Sequence, residues 1–525
     1  IRRYILQHNL FGVDINATAI DICHLRLWLW MVEPFSESDV TNTIQLDPLP
    51  NIDFNFMQGN SILGFTKYPA STFQGRLQYF SDGRLTDGET IGSKRQRKQE
   101  LLRQYYAYSG NNEQLRTQLV ALNKEILGQL DIAYYDIALR NPEDLSLPAM
   151  QKLTPFHWCY HFEHVLEQGG FHAIIGNPPY IKEGTNRSAF DGVRHLSYYQ
   201  GKMDIWYLFA CIGVDLLHDN GLLSYIAQSN WITSFGAKKL RKKLFNHMVM
   251  LEWIDFTDQK IFQAGIQTMI AQLHKTTPVY PYSFPCRVLT DHNIPLHDIY
   301  TFLFQHDDTH GSEYVTTLDL QPDTQSEYDG KPVQFLNEDH ALILQTMQSN
   351  AEYLTANETI GGADPHQYNI TKQHQAILGD AFRIGQGIFV LSDAEYNALT
   401  FTPLEKRDII RKFYTTDQLF RYYGNAQNNQ WLLCTPSDIN PRIDQYPNVK
   451  RHITPFIPII TSDNKPYGIH RTRDARFFSG ERIFSVRKTF KPTFSYFDNE
   501  NGYVGGICYV IKSQRWSMKA LTGLL

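Results

Sequence analysis

Cysteine is sparse in this sequence, and no two cysteines form a close pair. The chain has six cysteines among 525 residues, at positions 23, 159, 211, 286, 434 and 508. This wide dispersion, with no CxxC motif, argues against a zinc module and against a disulfide framework. No apolar run approaches the roughly 18 residues of a membrane span, and no signal-peptide pattern opens the chain. These absences predict a soluble, cytoplasmic protein.

The sequence also lacks an initiator methionine. It begins at Ile1 and ends in SMKALTGLL, which predicts a helix without a cap or polar tail. From both ends we expect a fragment of a longer polypeptide. With 42% apolar and 13% aromatic residues, the chain has enough apolar side chains for several domain cores.

What the chain does contain is a short apolar run followed by two prolines. Ala173–Ile175 predicts a buried parallel strand, and Asn177, Pro178, Pro179 and Tyr180 follow it closely. Side chains at the carboxyl end of such a strand project into the crevice where ligands bind. The oxygens of Asn177 and Pro178 can accept both hydrogens of a planar amino group, and the Tyr180 ring offers a stacking face. The alternative is a proline-rich turn that merely ends a strand.

This tetrapeptide resembles the signature of methyltransferases that act on planar amino groups, and its surroundings resemble DNA adenine-N6 methyltransferases. The resemblance implies that all four residues are catalytic. It also implies that Phe262 packs on the other face of a base flipped out of the duplex, although core packing is the alternative for any one phenylalanine. Catalysis would then rest on positioning and desolvation of the amine, without a strong general base.

Two earlier segments predict a cofactor site. LFGVDINATAIDICHLRLWLWMV predicts a strand over Leu10–Ile15 and a helix capped by Asn16, so Asp14 ends a strand where a carboxylate can bind ribose hydroxyls. A second predicted strand ends at Asn60 and Ser61. The resemblance implies that Asp14, Ile15, Asn60 and Ser61 bind S-adenosylmethionine. It also implies a glycine-rich loop upstream of Ile1, so we expect the site to be incomplete and this fragment to be inactive.

The segment just before the tetrapeptide is rich in histidine. It contains His157, Cys159, His161 and His164. A zinc site normally shows paired ligands and a distant second pair, so we predict no metal site. The segment instead resembles the aromatic lead-in of large fused restriction-modification methyltransferases.

A polar insertion over about residues 66–150 predicts a helical hairpin that turns at Gly110–Asn112. Its basic group, Lys94, Arg95, Arg97 and Lys98, is suited to DNA phosphate, although a solvated helix face is the more common role.

Basic residues are concentrated towards the carboxyl end. Residues 401–500 hold 16 lysines and arginines against 10 acidic residues, a net +6, whereas the whole chain carries −5. Aromatic residues alternate with this charge, a composition suited to DNA. The predicted DNA-binding residues are Arg471, Arg473, Arg476, Arg482, Arg487, Lys488 and Lys491. The region resembles a TaqI-like specificity domain, although an ordinary solvated basic surface is the alternative.

Together these features resemble the modification and specificity part of type IIG/IIS fused restriction-modification enzymes of bacteria or archaea. The implied fold is α/β: a Rossmann-like methyltransferase domain (1–65 and 151–345), the helical insertion (66–150), a linker (346–375) and an α+β target-recognition domain (376–525). The implied partner is double-stranded DNA, with any nuclease in the missing amino-terminal part. Alternatives are a nuclease-free phage-defence adenine methyltransferase, a protein-glutamine methyltransferase, and an inert catalytic half that serves a DNA-binding specificity module.

Overall fold

The structure is a computed structural model in which the chain divides into two compact units. The amino-terminal unit is Ile1–Ser349 and the carboxy-terminal unit is Asn350–Leu525. The residues described are 1–33, 50–68, 91–107, 113–138, 145–262, 266–306, 308–320, 327–349, 351–424, 427–489 and 491–525.

The described strands of the amino-terminal unit form two separate sheets. They are β1 (Gly12–Asp14), β2 (Phe56–Gln58), β3 (Phe171–Gly176), β4 (Leu217–Gln228), β5 (Met248–Asp255), β6 (Thr268–Lys275), β7 (Tyr282–Leu289) and β8 (Gly311–Leu318). β1 and β2 pair in parallel, and the others form a mixed sheet of order β3-β4-β6-β5-β7-β8. Because β3 and β4 run parallel, their carboxyl ends lie side by side.

The helices of this unit lie between and after the strands. They are α1 (Arg2–His8), α2 (Ala17–Val32), α3 (Ile91–Ala107), α4 (Glu113–Ala138), α5 (Leu147–Lys152), α6 (Trp158–His161), α7 (Glu163–Glu167), α8 (Trp206–Leu216), α9 (Lys238–His247), α10 (Leu296–Phe304) and α11 (Glu338–Ser349). The largest core joins α8 to the central strands of the mixed sheet.

The first strand and helix form as their sequence predicts, with the strand shorter at both ends. Asn16 caps α2, since its Oδ1 accepts a hydrogen bond from the Thr18 backbone at 3.0 Å. The apolar side chains at helical spacing along α2 pack around Leu6, Ile52 and Phe56. β4 contains a bulge at Asn220: this residue has a φ of 65°, and the pairing with β3 shifts register there.

The predicted insertion contains two long helices, α3 and α4. Leu101 and Tyr105 of α3 pack against Leu119, Leu122 and Ile126 of α4 in a small core of their own. The turn predicted at 110–112 lies outside the described residues.

The carboxy-terminal unit combines short helices with two sheets. Its strands are β9 (Thr359–Gly361), β10 (Val390–Ser392), β11 (Ile410–Tyr414), β12 (Tyr422–Tyr423), β13 (Gln430–Leu433), β14 (Arg482–Val486), β15 (Phe494–Phe497), β16 (Gly502–Val504) and β17 (Cys508–Ile511). The sheet orders are β10-β13-β11-β16 and β12-β15-β14-β17-β9. Its helices are α12 (Lys372–Leu378), α13 (Asp393–Ala398), α14 (Pro403–Asp408), α15 (Pro447–Ile453) and α16 (Met518–Leu524).

The mixed α/β class is as predicted, whereas the finer arrangement is not tested. β1 and β2 do not join the six-stranded sheet in the described residues, so a single Rossmann-like sheet stays a prediction. The predicted linker contains β9, which pairs with β17. Among the described residues, no helix is both long and apolar enough to cross a membrane.

Candidate active site

The tetrapeptide lines an open pocket at the carboxyl end of β3. Asn177, Pro178, Pro179 and Tyr180 line about 220 Å³ together with Phe262 and Ile266. Asn177 is exposed and Pro178 is buried. The structure therefore brings all five residues predicted as catalytic to one pocket.

Tyr180 is held by polar contacts at its hydroxyl. The hydroxyl is 2.9 Å from the Ile226 carbonyl oxygen on β4 and 3.2 Å from Oδ1 of Asn177. Burial raises the pKa of Tyr180 to about 12, so the group stays protonated and donates at neutral pH. Because its single hydrogen favours the shorter contact, Asn177 Oδ1 keeps acceptor capacity for a ligand.

The two aromatic rings of the pocket do not lie parallel. The ring centroids of Tyr180 and Phe262 are 6.4 Å apart, with an angle of 62° between the planes. A flat base between them requires one ring to turn. Phe262 directly precedes residues 263–265, which are outside the described part of the chain.

Asp204 is a residue of this site that sequence reasoning missed. Its side chain is 3% exposed, and its Oδ1 accepts a hydrogen bond from the Ile181 backbone at 3.0 Å, next to Tyr180. Oδ2 is buried and has no hydrogen-bond partner among the described residues. Burial raises the pKa of Asp204. The only available sequence signal was an acidic residue inside the apolar run KMDIWYLF, whose partner lies 23 residues away.

The predicted cofactor residues lie at the carboxyl ends of β1 and β2. These ends are joined, because the Gly59 backbone donates to the Asp14 carbonyl at 2.9 Å. Oδ1 of Asp14 accepts from the Asn16 backbone at 2.7 Å, and the rest of this carboxylate is exposed. Ile15 is 58% exposed.

Asn60 and Ser61 are engaged in the turn that follows β2. Asn60 Oδ1 accepts from the Ile62 backbone at 3.3 Å, and the Ser61 carbonyl accepts from the Trp158 indole at 2.9 Å. Within the described residues, the side-chain nitrogen Nδ2 of Asn60 makes no hydrogen bond, so it can donate to a ligand.

β3 forms one edge of the mixed sheet. Ile175 on this strand is 83% exposed. The sequence predicted a fully buried strand, and this exposure differs from that prediction. A parallel strand at a sheet edge is normally covered by a further strand or helix.

The predicted DNA-binding residues of the carboxy-terminal unit fall into different environments. Arg482 is a correction, because it is fully buried: its guanidinium donates to the carbonyls of Gly480, Asn499 and Gly502. It therefore supports the fold and cannot reach phosphate. Arg476 is exposed but paired with Asp474, at 2.8 and 2.6 Å.

The remaining predicted residues are accessible. Arg471, Arg487, Lys488 and Lys491 are exposed, and Arg473 is half-buried. Within the described residues, these five are the members of the predicted set that are at least partly exposed and make no ion pair.

The basic group of the insertion mostly faces inward, which corrects the phosphate hypothesis for it. Lys94 is 6% exposed and pairs with Glu125, and Lys98 is 5% exposed and donates to the Tyr160 carbonyl at 2.6 Å. Arg95 pairs with Glu163 and Glu167.

The histidine-rich lead-in is structural in the same way. His157 is buried, and its two ring nitrogens contact the Phe65 backbone and Asp131, each at 3.1 Å. The His161 ring stacks on Phe156 with centroids 4.2 Å apart.

A different group of potential metal ligands occurs in the carboxy-terminal unit. Asp364, His366 and His470 bring one ligand atom each within 4.8 Å of one another. Sequence reasoning missed this group because His470 is about a hundred residues from Asp364 and His366. Arg471 Nε lies 3.2 Å from His470 Nε2, so a cation here would lie beside a guanidinium. The prediction of no metal site stays untested.

Comparison with solved structures finds similar chains at low identity. The type IIL restriction-modification enzyme MmeI in complex with DNA is 11% identical, with 97% of this chain and 57% of that chain covered at a TM-score of 0.47. The type IIG restriction endonuclease BpuSI is 11% identical, with 68% and 43% covered at a TM-score of 0.27.

A curated protein gives a closer match in sequence. The "Putative type II restriction enzyme and methyltransferase" of Methanocaldococcus jannaschii is 28% identical over 329 residues, or 54% of this chain. The match spans only 27% of that protein's length.

The comparison with protein families covers the part of the chain that holds the pocket. The matched span runs from α1, through both predicted cofactor segments and the tetrapeptide, to Phe262. Residues 8–262 match the family of the Eco57I restriction-modification methylases.

Proposed function

We propose that this protein is a site-specific DNA adenine-N6 methyltransferase that uses S-adenosylmethionine, as the modification and specificity part of a restriction-modification enzyme. The observation that carries the proposal is the pocket after β3, where Asn177, Pro178, Pro179 and Tyr180 line one opening together with Phe262. The methylase family match over residues 8–262 supports the same class of reaction.

The pocket fits a neutral planar amine better than a charged substrate. Its lining consists of an amide, two prolines, two aromatic rings and an isoleucine, and none of these is ionised at neutral pH. An adenine inside a duplex cannot reach such a pocket, so the base must flip out of the helix. Tyr180 offers a ring face for the flipped base, and Phe262 closes the other side once the rings become parallel.

Asn177 and Pro178 orient the reacting nitrogen in this proposal. Their oxygens accept the two hydrogens of the exocyclic amine and draw its lone pair out of conjugation with the ring. The Tyr180 hydroxyl donates to the Ile226 carbonyl, which holds the Tyr180 ring beside the Asn177 side chain. Asp204 positions the backbone after Tyr180 through Ile181. The rate gain comes from orientation and exclusion of water.

The residues at the ends of β1 and β2 fit a nucleoside cofactor. The exposed carboxylate of Asp14 can accept hydrogen bonds from ribose hydroxyls, Ile15 offers an apolar contact to a flat ring, and the Asn60 amide can donate to a ring nitrogen. Ser61 follows in the same turn. When bound, S-adenosylmethionine supplies an electrophilic methyl group.

We assign target recognition to the carboxy-terminal unit and DNA as the partner. The support is the concentration of exposed basic residues between Arg471 and Lys491.

Radioactive methyl transfer tests the proposal directly. The full-length protein is incubated with labelled S-adenosylmethionine and duplex DNA, and the product is digested to nucleosides. Label in N6-methyl-2′-deoxyadenosine at one sequence context is the expected result. Label in a cytosine derivative would contradict adenine specificity, and label in a protein substrate would indicate a glutamine methyltransferase.

The inert-module alternative gives a different result in the same experiment. A chain that binds a specific duplex but never transfers methyl to it would be a specificity module alone. A nuclease-free defence methyltransferase would methylate DNA but would leave unmodified DNA uncut when a divalent metal is added.

A further inference from the structure

Three arginines of the carboxy-terminal unit lie close to one another. Arg471 donates to the His470 ring and Arg473 to the Gly362 carbonyl, both at 3.2 Å, and Arg487 lies over the Tyr509 ring at 4.1 Å. Within the described ranges, none of the three makes an ion pair, whereas nearby Arg476 is paired with Asp474.

Two of these arginines converge above a glycine. A methyl group placed on Gly361 would lie 2.8 Å from Nη2 of Arg487 and 3.3 Å from Nη2 of Arg473. Both guanidinium ends therefore reach one point that only a glycine leaves open. We call Gly361, Arg473 and Arg487 the arginine cradle.

The charges of the cradle oppose one another. Burial lowers the pKa of Arg473, and the neighbouring charges of Arg471 and Arg487 lower it further, with only Asp364 acting in the opposite direction. Like charges held this close are stabilised by an anion that accepts hydrogen bonds from both.

Gly361 lies on a part of the sheet that helix α16 does not cover. Gly361 pairs with Tyr509 across β9 and β17. Ile511, two residues further on the same face, packs under Met518 of α16, whereas Tyr509 is 47% exposed. The cradle is therefore accessible to a chain passing over the end of the sheet.

We propose that the arginine cradle binds one backbone phosphate of the DNA, with Arg473 and Arg487 each donating to its oxygens. This inference rests on the proposed function, because it names the part of the DNA that these residues contact. The convergence above Gly361 favours a compact tetrahedral anion. Arg471 adds charge beside the cradle.

Salt-dependent binding of labelled duplexes tests the inference. The full-length protein is titrated by fluorescence anisotropy with a recognised duplex and a scrambled one, at several salt concentrations between about 50 and 200 mM. Arg473→Ala and Arg487→Ala should each lower the affinity of the protein for both duplexes several-fold. Since both arginines serve one phosphate, the double variant should lower the slope of log K against log salt by about 0.9 in total, not twice that.

Two matched variants control for charge and for folding. Arg476→Ala removes the same charge three residues from Arg473 and should leave affinity and slope unchanged. Gly361→Ala keeps every charge but fills the cradle, and should weaken binding as the arginine variants do. Gly523→Ala, where an added methyl meets nothing, is its control.

The inference is wrong if Arg473→Ala, Arg487→Ala and Gly361→Ala bind both duplexes like Arg476→Ala. It is also wrong if their losses are confined to one sequence, which would indicate a base contact. Stabilisation of the wild type alone by inorganic phosphate, with unchanged duplex binding in every variant, would assign a free anion instead. These outcomes leave methyl transfer to DNA intact, whereas a wild-type protein that neither binds nor methylates duplexes overturns the proposed function as well.

Discussion

The candidate sites of the two units expose opposite kinds of side chain. The pocket after β3 offers an amide, two prolines and two aromatic rings, with no charged group in its lining. The cradle of the carboxy-terminal unit offers two converging guanidinium groups with a third beside them, and no ion pair among the described residues.

This difference matches two separate physical tasks. A neutral amine becomes reactive when acceptors orient it, and a fixed charge in the pocket would compete with those acceptors. Affinity for a polyanion comes instead from unpaired cations, whose effect is screened by salt. Changes in the pocket should therefore alter turnover, and changes in the cradle should alter affinity.

Asn177→Ala should give the largest effect and is the sharpest test of this separation. Loss of an oriented acceptor at the reacting atom typically costs about 10²–10³-fold in rate, so single-turnover methylation at saturating DNA should fall by that factor. Duplex affinity should stay within about twofold. Arg473→Ala is the converse control, with weaker binding and a nearly normal rate once DNA is saturating. If both variants lose affinity and rate equally, the pocket and the cradle do not have separate roles in turnover and in DNA affinity.

Local pattern was sufficient to locate the pocket but not to define its surroundings. A strand followed by Asn177 and two prolines is encoded in adjacent residues, as is the Asn16 cap of α2. Asp204 was missed because its contact with Ile181 spans 23 residues.

Charge patterns were the weakest guide, because sequence does not record burial. Arg482 and Lys98 both stand in basic stretches that predict a solvated surface, yet both are buried against backbone carbonyls. Glycine is required at position 361 because Arg473 and Arg487, more than a hundred residues away in sequence, converge there. No local sequence pattern marks this position.

Arg482→Ala should destabilise the carboxy-terminal unit, in contrast to Arg476→Ala. The change leaves carbonyls of Gly480, Asn499 and Gly502 without donors inside the unit, and about 3 kcal/mol is expected for such a loss. Burial lowers the pKa of Arg482 to about 10, which reflects the same enclosure. Urea denaturation followed by fluorescence measures the change. If Arg482→Ala and Arg476→Ala lower the free energy of unfolding equally, Arg482 is a surface residue and the burial argument is wrong.

Replacements of Tyr180 separate stacking from anchoring within the pocket. Tyr180→Ala removes the ring and should weaken capture of the flipped base by about 1–3 kcal/mol, measured with 2-aminopurine at the target position. Tyr180→Phe keeps the ring but loses the hydroxyl that donates to the Ile226 carbonyl, so it should preserve the fluorescence signal and lower only the rate. Phe262→Ala should resemble Tyr180→Ala. An unchanged signal in both alanine variants would return Phe262 to a packing role.

Lys98→Met should have the smallest effect, and it tests whether the inward-facing basic group differs in kind from the cradle. Burial lowers the pKa of Lys98 from 10.5 to about 7, with the Arg95 charge acting in the same direction. Between these values the unfolded chain holds the proton that the folded chain has lost, so this lysine destabilises the fold near pH 7 and progressively less as the pH rises. The stability gained by Lys98→Met should therefore shrink between about pH 7 and 9, by no more than about 1.4 kcal/mol per pH unit.

Urea unfolding of the wild type and of Lys98→Met at each pH measures this gain in stability. Other groups titrate in both proteins, so their contributions cancel in the difference. Lys124→Met, on the exposed face of α4, should show no such trend. A gain that does not vary with pH would mean that Lys98 keeps its proton through this range, and any strong loss of DNA affinity in Lys98→Met would restore the insertion as a phosphate-binding surface.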